Sequence, residues 1–183
     1  MKSILITGGT GLIGSGLVKS IDKSIYKVYV LTRKKPYVEN EVDYINWDPD
    51  KSILDISHIK NLYSVINLAG QSIDGSRWTK KYKQKILESR INSTRLLFNK
   101  IKEREQLPKS FISASATGFY SENTVSPQKE NDKPGNNFLS SVVKEWEKEI
   151  SRFNSIGIRT TVFRIGLVLS KDGGVLKLSL IHI

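Results

Sequence analysis

Four glycines fall within seven residues, Gly8 to Gly14, between an apolar run and an amphipathic one: SILITGGTGLIGSGLVK, Ser3 to Lys19. So bare a backbone where a strand passes into a helix restricts what the chain can become. In a strand, turn and helix unit, one glycine permits the tight turn and a second lets backbone approach a pyrophosphate. A third lets helix and strand pack closely, and the first N–H groups of the helix stay free for phosphate oxygens. Gly8, Gly11 and Gly14 fit these roles, with Leu12 and Ile13 in the same binding segment. The letters also parse as G-x-G-x-x-G through Gly9, Gly11 and Gly14, so the identity of the turn glycine is open in sequence.

The rest of the chain repeats that alternation. Strand-like runs lie at 4–7, 28–32, 44–46, 65–69, 110–115 and 159–165, and helical patterns at about 12–22, 79–104 and 138–153. Short, nearly continuous apolar strands separated by helices predict an α/β fold, a doubly wound parallel sheet covered on both faces. Ser121 to Asn137, polar with two prolines and a glycine, reads as a surface loop. The glycine turn within this context predicts dinucleotide binding. The second strand ends VLTRKKP, where a 2′-hydroxyl reader would carry Asp or Glu. Thr32, Arg33 and Lys34 suit a 2′-phosphate instead, so the expected cofactor is NADP(H).

Composition narrows the class. The 183 residues include no cysteine and only His58 and His182 as histidines, which leaves almost no ligands for a metal cluster. No apolar run approaches the roughly 20 residues that cross a bilayer, and a cytoplasmic location without a membrane partner is expected. The net charge of +11 raises the question of nucleic acid. The lysines are spread along the chain, however, and KKYKQK from Lys80 is the solvated side of a helix whose apolar side holds Tyr82, Ile86, Leu87, Ile91, Leu97 and Ile101. No nucleic acid partner is expected.

TGGTGLIG followed by NLAG at 67–70 resembles the extended short-chain dehydrogenase/reductases. INLAGQSIDGSRWTKKYKQKILESRINSTRLL, FISASATGFYS, FLSSVVKEWEKE and FRIGLVLSKDGGVL are similar, in order, to an atypical epimerase/dehydratase-like branch of NADP-dependent oxidoreductases. The likeness runs from Ser3 to about Leu176. It implies a Rossmann domain over residues 1–177 that lacks a further substrate-binding region. It also implies cofactor contacts from Leu68, Ala69 and Gly70, and a substrate-polarising hydroxyl at Ser115, with Ser113 and Thr117 as alternatives. Arg164 is either a ligand contact or an ion-pair partner. Leu178 to Ile183, LSLIHI, reads like a translated sequencing adapter and is expected to be foreign to the fold.

One departure bears on chemistry. The superfamily's catalytic pair is a tyrosine followed four residues later by a lysine, and no tyrosine of this chain has a lysine there. In the helix where the pair belongs, Phe138, Leu139, Val142, Val143, Trp146 and Ile150 form an apolar stripe and Lys144 is out of step. Arg90 stands where relatives usually carry asparagine. Tyr120 is the nearest acid/base candidate. Two readings follow: a slow NADP(H)-dependent oxidoreductase acting on an unknown small molecule, with a homodimer as the candidate assembly, or an inactive NADP(H)-sensing or scaffolding protein.

Overall fold

Strands without inside-outside alternation are stable only where both faces of a sheet are covered. The computed structural model, which describes residues 1–120, 126–171 and 173–174, arranges them so. The order is β1 (Lys2–Thr7), α1 (Leu12–Ser20), β2 (Tyr26–Thr32), β3 (Tyr37–Glu39), β4 (Val42–Asp48), β5 (Ile53–Leu54), β6 (Leu62–Asn67), α2 (Lys80–Lys102), β7 (Ser110–Ala116), α3 (Phe138–Ser155) and β8 (Arg159–Ile165). A two-residue hairpin, β9 (Leu169–Ser170) with β10 (Gly173–Gly174), follows.

The sheet runs β3-β4-β2-β1-β6-β7-β8, with β5 against β4. From β4 to β8 every neighbouring pair is parallel. This is the doubly wound order 3-2-1-4-5-6, and the direction of progression reverses between β1 and β6. In sheets of this order ligands bind in the crevice beyond the C-terminal ends of the strands at that reversal.

Helices α2 and α3 cover one face and α1 the other. Leu5, Val65 and Phe111 of the sheet pack with Leu97, Ile101, Trp146, Ile150 and Phe153, and the Phe111 and Phe153 rings stack 3.6 Å apart. Each such side chain, taken fully out of water, contributes roughly 1.5–3 kcal/mol. On the opposite face Val18 of α1 meets Ile4, Ile6, Val28, Val30 and Val42. Beyond that cover Val162 and Phe163 of β8, with Leu167 and Leu169, are exposed.

Two elements differ from expectation. A strand not read from sequence, β3, lies between β2 and β4, whose nine-residue connection is too short for a crossover helix. The chain instead forms β3, antiparallel to β4, and turns back through Asn40 and Glu41, both left-handed with φ of 48° and 62°. The strand expected at 65–69 starts at Leu62 and stops at Asn67, since the N–H groups of Leu68 and Ala69 turn toward the Thr7 hydroxyl. Within the loop expected at 121–137, residues 126–137 carry no helix or strand. Ser121 to Val125 and the tail 178–183 lie outside the described residues. Among the described residues no helix is long and apolar enough to cross a membrane, and no three metal-ligating side chains converge.

Candidate functional site

The glycine turn is built by close approach. Gly8 takes φ +68°, and a Cβ there would lie 2.7 Å from the Leu68 carbonyl carbon. Its carbonyl accepts from the Gly11 N–H at 3.0 Å, which closes the turn. A Cβ on Gly14 would meet that same carbonyl oxygen at 2.2 Å, so only glycine lets α1 start here. The turn-making glycine is Gly8. At the helix N-cap Gly11 supplies no side-chain cap, and the first N–H to bond back is that of Ser15, to Gly11. The N–H groups of Leu12, Ile13 and Gly14 thus have no acceptor among the described residues, a cradle fit for phosphate oxygens.

A buried polar network fixes the opposite wall. The Thr7 hydroxyl donates to Asn67 Oδ1 at 2.7 Å and accepts from the N–H groups of Leu68 and Ala69 at 3.0 and 3.1 Å. Asn67 Nδ2 donates to Thr94 and Ser113, both at 3.2 Å, and Trp146 Nε1 donates to Thr94 at 3.1 Å. β1, β6, β7, α2 and α3 are thereby tied behind one loop, Leu68 to Gly70. Networks satisfied this fully rigidify what they hold. Gly70 is exposed at the lip of the crevice.

The end of β2 forms the third wall. Thr32 is buried and its Oγ1 accepts from the Lys34 N–H at 3.2 Å. Asn46, from β4, donates to the carbonyls of Lys34 at 2.9 Å and Arg33 at 3.4 Å. Arg33 and Lys34 are exposed and have no ion-pair partner among the described residues.

After β7 the hydroxyl candidates separate. Ser113 is buried in the Asn67 network. Ser115 is also buried, and its hydroxyl donates to Glu147 Oε1 at 2.5 Å, so its proton faces α3. Thr117 opens a 3-10 turn, Thr117–Phe119, is exposed, and has no polar side-chain partner among the described residues. Arg164 is an ion-pair partner: Nε and Nη2 grip Glu147 at 2.9 and 2.8 Å. Its Nη1 also donates to the Tyr120 hydroxyl at 2.7 Å and to the Glu130 carbonyl at 2.9 Å. The cation that no in-register lysine gives Tyr120 thus comes from β8. The Glu147 bonds push the Arg164 guanidinium above its ordinary value. Lys144 is exposed.

Residues 4–169 match the NAD dependent epimerase/dehydratase family. The chain belongs to that family. An epimerase family protein of Staphylococcus aureus strain MRSA252 is 40% identical over 179 residues, 97% of this chain and 59% of the relative. Human epimerase family protein SDR39U1, solved with NADPH, superposes with a TM-score of 0.83 at 27% identity, covering 98% of this chain and 58% of that one. A nucleoside-diphosphate sugar epimerase from Corynebacterium glutamicum gives 0.80 at 29%, covering 97% and 36%. The chain spans about three fifths of the length of the curated relatives it matches.

Within this epimerase/dehydratase chain two site residues were not singled out from sequence, Glu147 and Asn46. Glu147 had a signal, an acid beside the apolar stripe of Val143, Trp146 and Ile150. Asn46 had none, because its partners are a dozen residues away and bond through backbone.

Proposed function

We propose that the chain binds NADP(H) across the β1/β6 crevice and serves an epimerase-like oxidoreductase reaction on a small molecule. The observation that carries this is the uncapped start of α1 behind a turn that no Cβ can enter, with two unpaired cations after β2, the strand paired with β1. The human relative solved with NADPH supports the phosphorylated cofactor. Leu12, Ile13 and Gly14 would hold the diphosphate by backbone N–H groups, and Thr32, Arg33 and Lys34 the 2′-phosphate. Leu68, Ala69 and Gly70 would line the middle of the cofactor. The working location in this reading is the cytoplasm, with no nucleic acid or membrane partner.

When bound, the nicotinamide supplies hydride transfer. Tyr120 accepts from Arg164, which leaves its own proton free for a substrate oxygen, and the guanidinium stabilises negative charge left on the phenol. Thr117 offers a second, unpartnered hydroxyl to that oxygen. Ser115 stands behind, its hydroxyl donating to Glu147.

Titration of NADPH and NADH against the wild type and an Arg33→Ala, Lys34→Ala double variant tests the cofactor reading. Charge-assisted bonds of this kind contribute roughly 1.5–3 kcal/mol each, so the variant should lose at least tenfold in NADPH affinity and little in NADH affinity. Equal wild-type affinities for the two would sink it. A second reading, a sensing or scaffolding protein, is favoured by the missing tyrosine and lysine pair. Tight NADPH binding with no oxidation across a panel of carbonyl compounds and nucleotide-sugars would select it.

A further inference from the structure

Arg90 is a largely enclosed cation without an anion. It lies on the side of α2 that faces α3, its guanidinium 5.3 Å from the centroid of the Trp146 ring. Gly70 closes in on it from the loop after β6, where an added Cβ would come within 3.1 Å of Arg90 Cζ. Only Nη1 is used within the fold, donating to the carbonyls of Gln71 and Ile86 at 3.0 Å each. No carboxylate among the described residues pairs with it. Desolvation lowers the guanidinium below its ordinary value, which is the sign of a charge held without compensation.

Nε and Nη2 have no acceptor among the described residues. Nor are they sealed: the side-chain atom that is both shut off from solvent and unpartnered is Arg104 Nε, on another part of the fold. The Nε and Nη2 edge is the fork that matches a carboxylate or phosphate with two parallel bonds. Held between Trp146 and Gly70, that fork is already oriented.

We propose that Arg90, through Nε and Nη2, binds an oxyacid group of the substrate, so that the substrate of this site carries a carboxylate or a phosphate. A guanidinium withdrawn from water without a counter-charge is destabilising, and an anion arriving at the fork offsets that only when bound. The inference rests on the cofactor reading solely for which end of the crevice is the substrate's.

The test uses malonate and inorganic phosphate as probes and malonamide as the neutral match for malonate. Each is titrated into the wild type and the Arg90→Gln and Arg90→Lys variants, with and without saturating NADP⁺, and tryptophan emission is followed. NADP⁺ affinity and thermal midpoint are measured for every variant. One anion should saturate the wild type; Arg90→Gln should weaken it at least tenfold and Arg90→Lys by less, with NADP⁺ affinity within twofold throughout. Whether malonate or phosphate is preferred distinguishes the two chemistries. Anion affinity unchanged in both Arg90 variants, or absent in the wild type, overturns the inference. A parallel loss of NADP⁺ affinity overturns it too, since Arg90 would then hold the cofactor. Failure of NADP⁺ to bind the wild type counts against the cofactor reading alone, and the cofactor-free titrations still decide this one.

Discussion

Glu147 and Arg164 face each other edge to edge, with Nε on Oε1 at 2.9 Å and Nη2 on Oε2 at 2.8 Å. The pair joins α3 to the outermost strand and has Ser115 on one side and Tyr120 on the other. Burial pushes the Glu147 carboxyl up, but the bonds from Arg164 and Ser115 and the guanidinium charge outweigh it and hold the group below its usual 4.5. A carboxyl lowered by folding stabilises the fold above its unfolded value, and that stability is lost as pH falls through the folded value. Glu149, held by Arg95 and Arg152, acts in the same sense. Acid unfolding should therefore begin below about pH 4.5 and flatten in Glu147→Gln. At neutral pH that variant should lose about 1–3 kcal/mol, with Arg164 left half-paired. Chemical denaturation across the acid range reads both, and an unchanged pH slope would take the pair out of the account.

Two glycines of α1 should respond in opposite directions. Gly14→Ala places a methyl 2.2 Å from the Gly8 oxygen, so the turn must open. We expect a loss of about 1–3 kcal/mol and of NADPH binding together. Gly16 is exposed, and a Cβ there meets nothing within 4 Å. Gly16→Ala should raise stability by up to about 1 kcal/mol through helix propensity and leave NADPH affinity alone. Thermal midpoints and cofactor titrations separate the two, and a stabilised Gly14→Ala would contradict the packing.

What could be read before the structure was whatever is local. Apolar runs located the six parallel strands within a few residues, 3.6-residue periodicity located α1, α2 and α3, and the glycine turn stands where its spacing put it. What could not be read joins distant residues. Ser115 and Glu147 are 32 positions apart, Asn67 and Ser113 46. Ser115 lies near the end of β7, and the direction of its proton depends on an acid of another helix. The hairpin at β3 escaped because a three-residue strand has no periodicity, and its turn uses Asn40 and Glu41 without a glycine.

Asn46 should set cofactor preference without touching the cofactor's charge. It holds the Arg33 and Lys34 carbonyls, and so the path of the loop that carries both cations. Neutral hydrogen bonds of this sort contribute about 0.5–1.5 kcal/mol. Asn46→Ala should weaken NADPH by roughly two- to tenfold and NADH much less. Equal weakening of both cofactors would assign Asn46 to general stability instead.

The hydroxyls after β7 can be told apart by turnover. Thr117 is exposed and unpartnered among the described residues, Tyr120 is oriented by Arg164, and Ser115 faces Glu147. In a protein that oxidises NADPH with a carbonyl substrate, removing a donor aimed at the developing oxyanion costs roughly 10²–10³ in kcat. Thr117→Val and Tyr120→Phe should each show a loss of that order with NADPH affinity intact. Ser115→Ala should act more weakly and together with Glu147→Gln, because the two form one bond; the double variant should be no worse than the more damaged single. A Ser115→Ala loss as large as that of Tyr120→Phe, and additive with Glu147→Gln, would return Ser115 to direct contact with substrate. Full activity in both Thr117→Val and Tyr120→Phe would leave the reaction to groups other than the hydroxyls that follow β7.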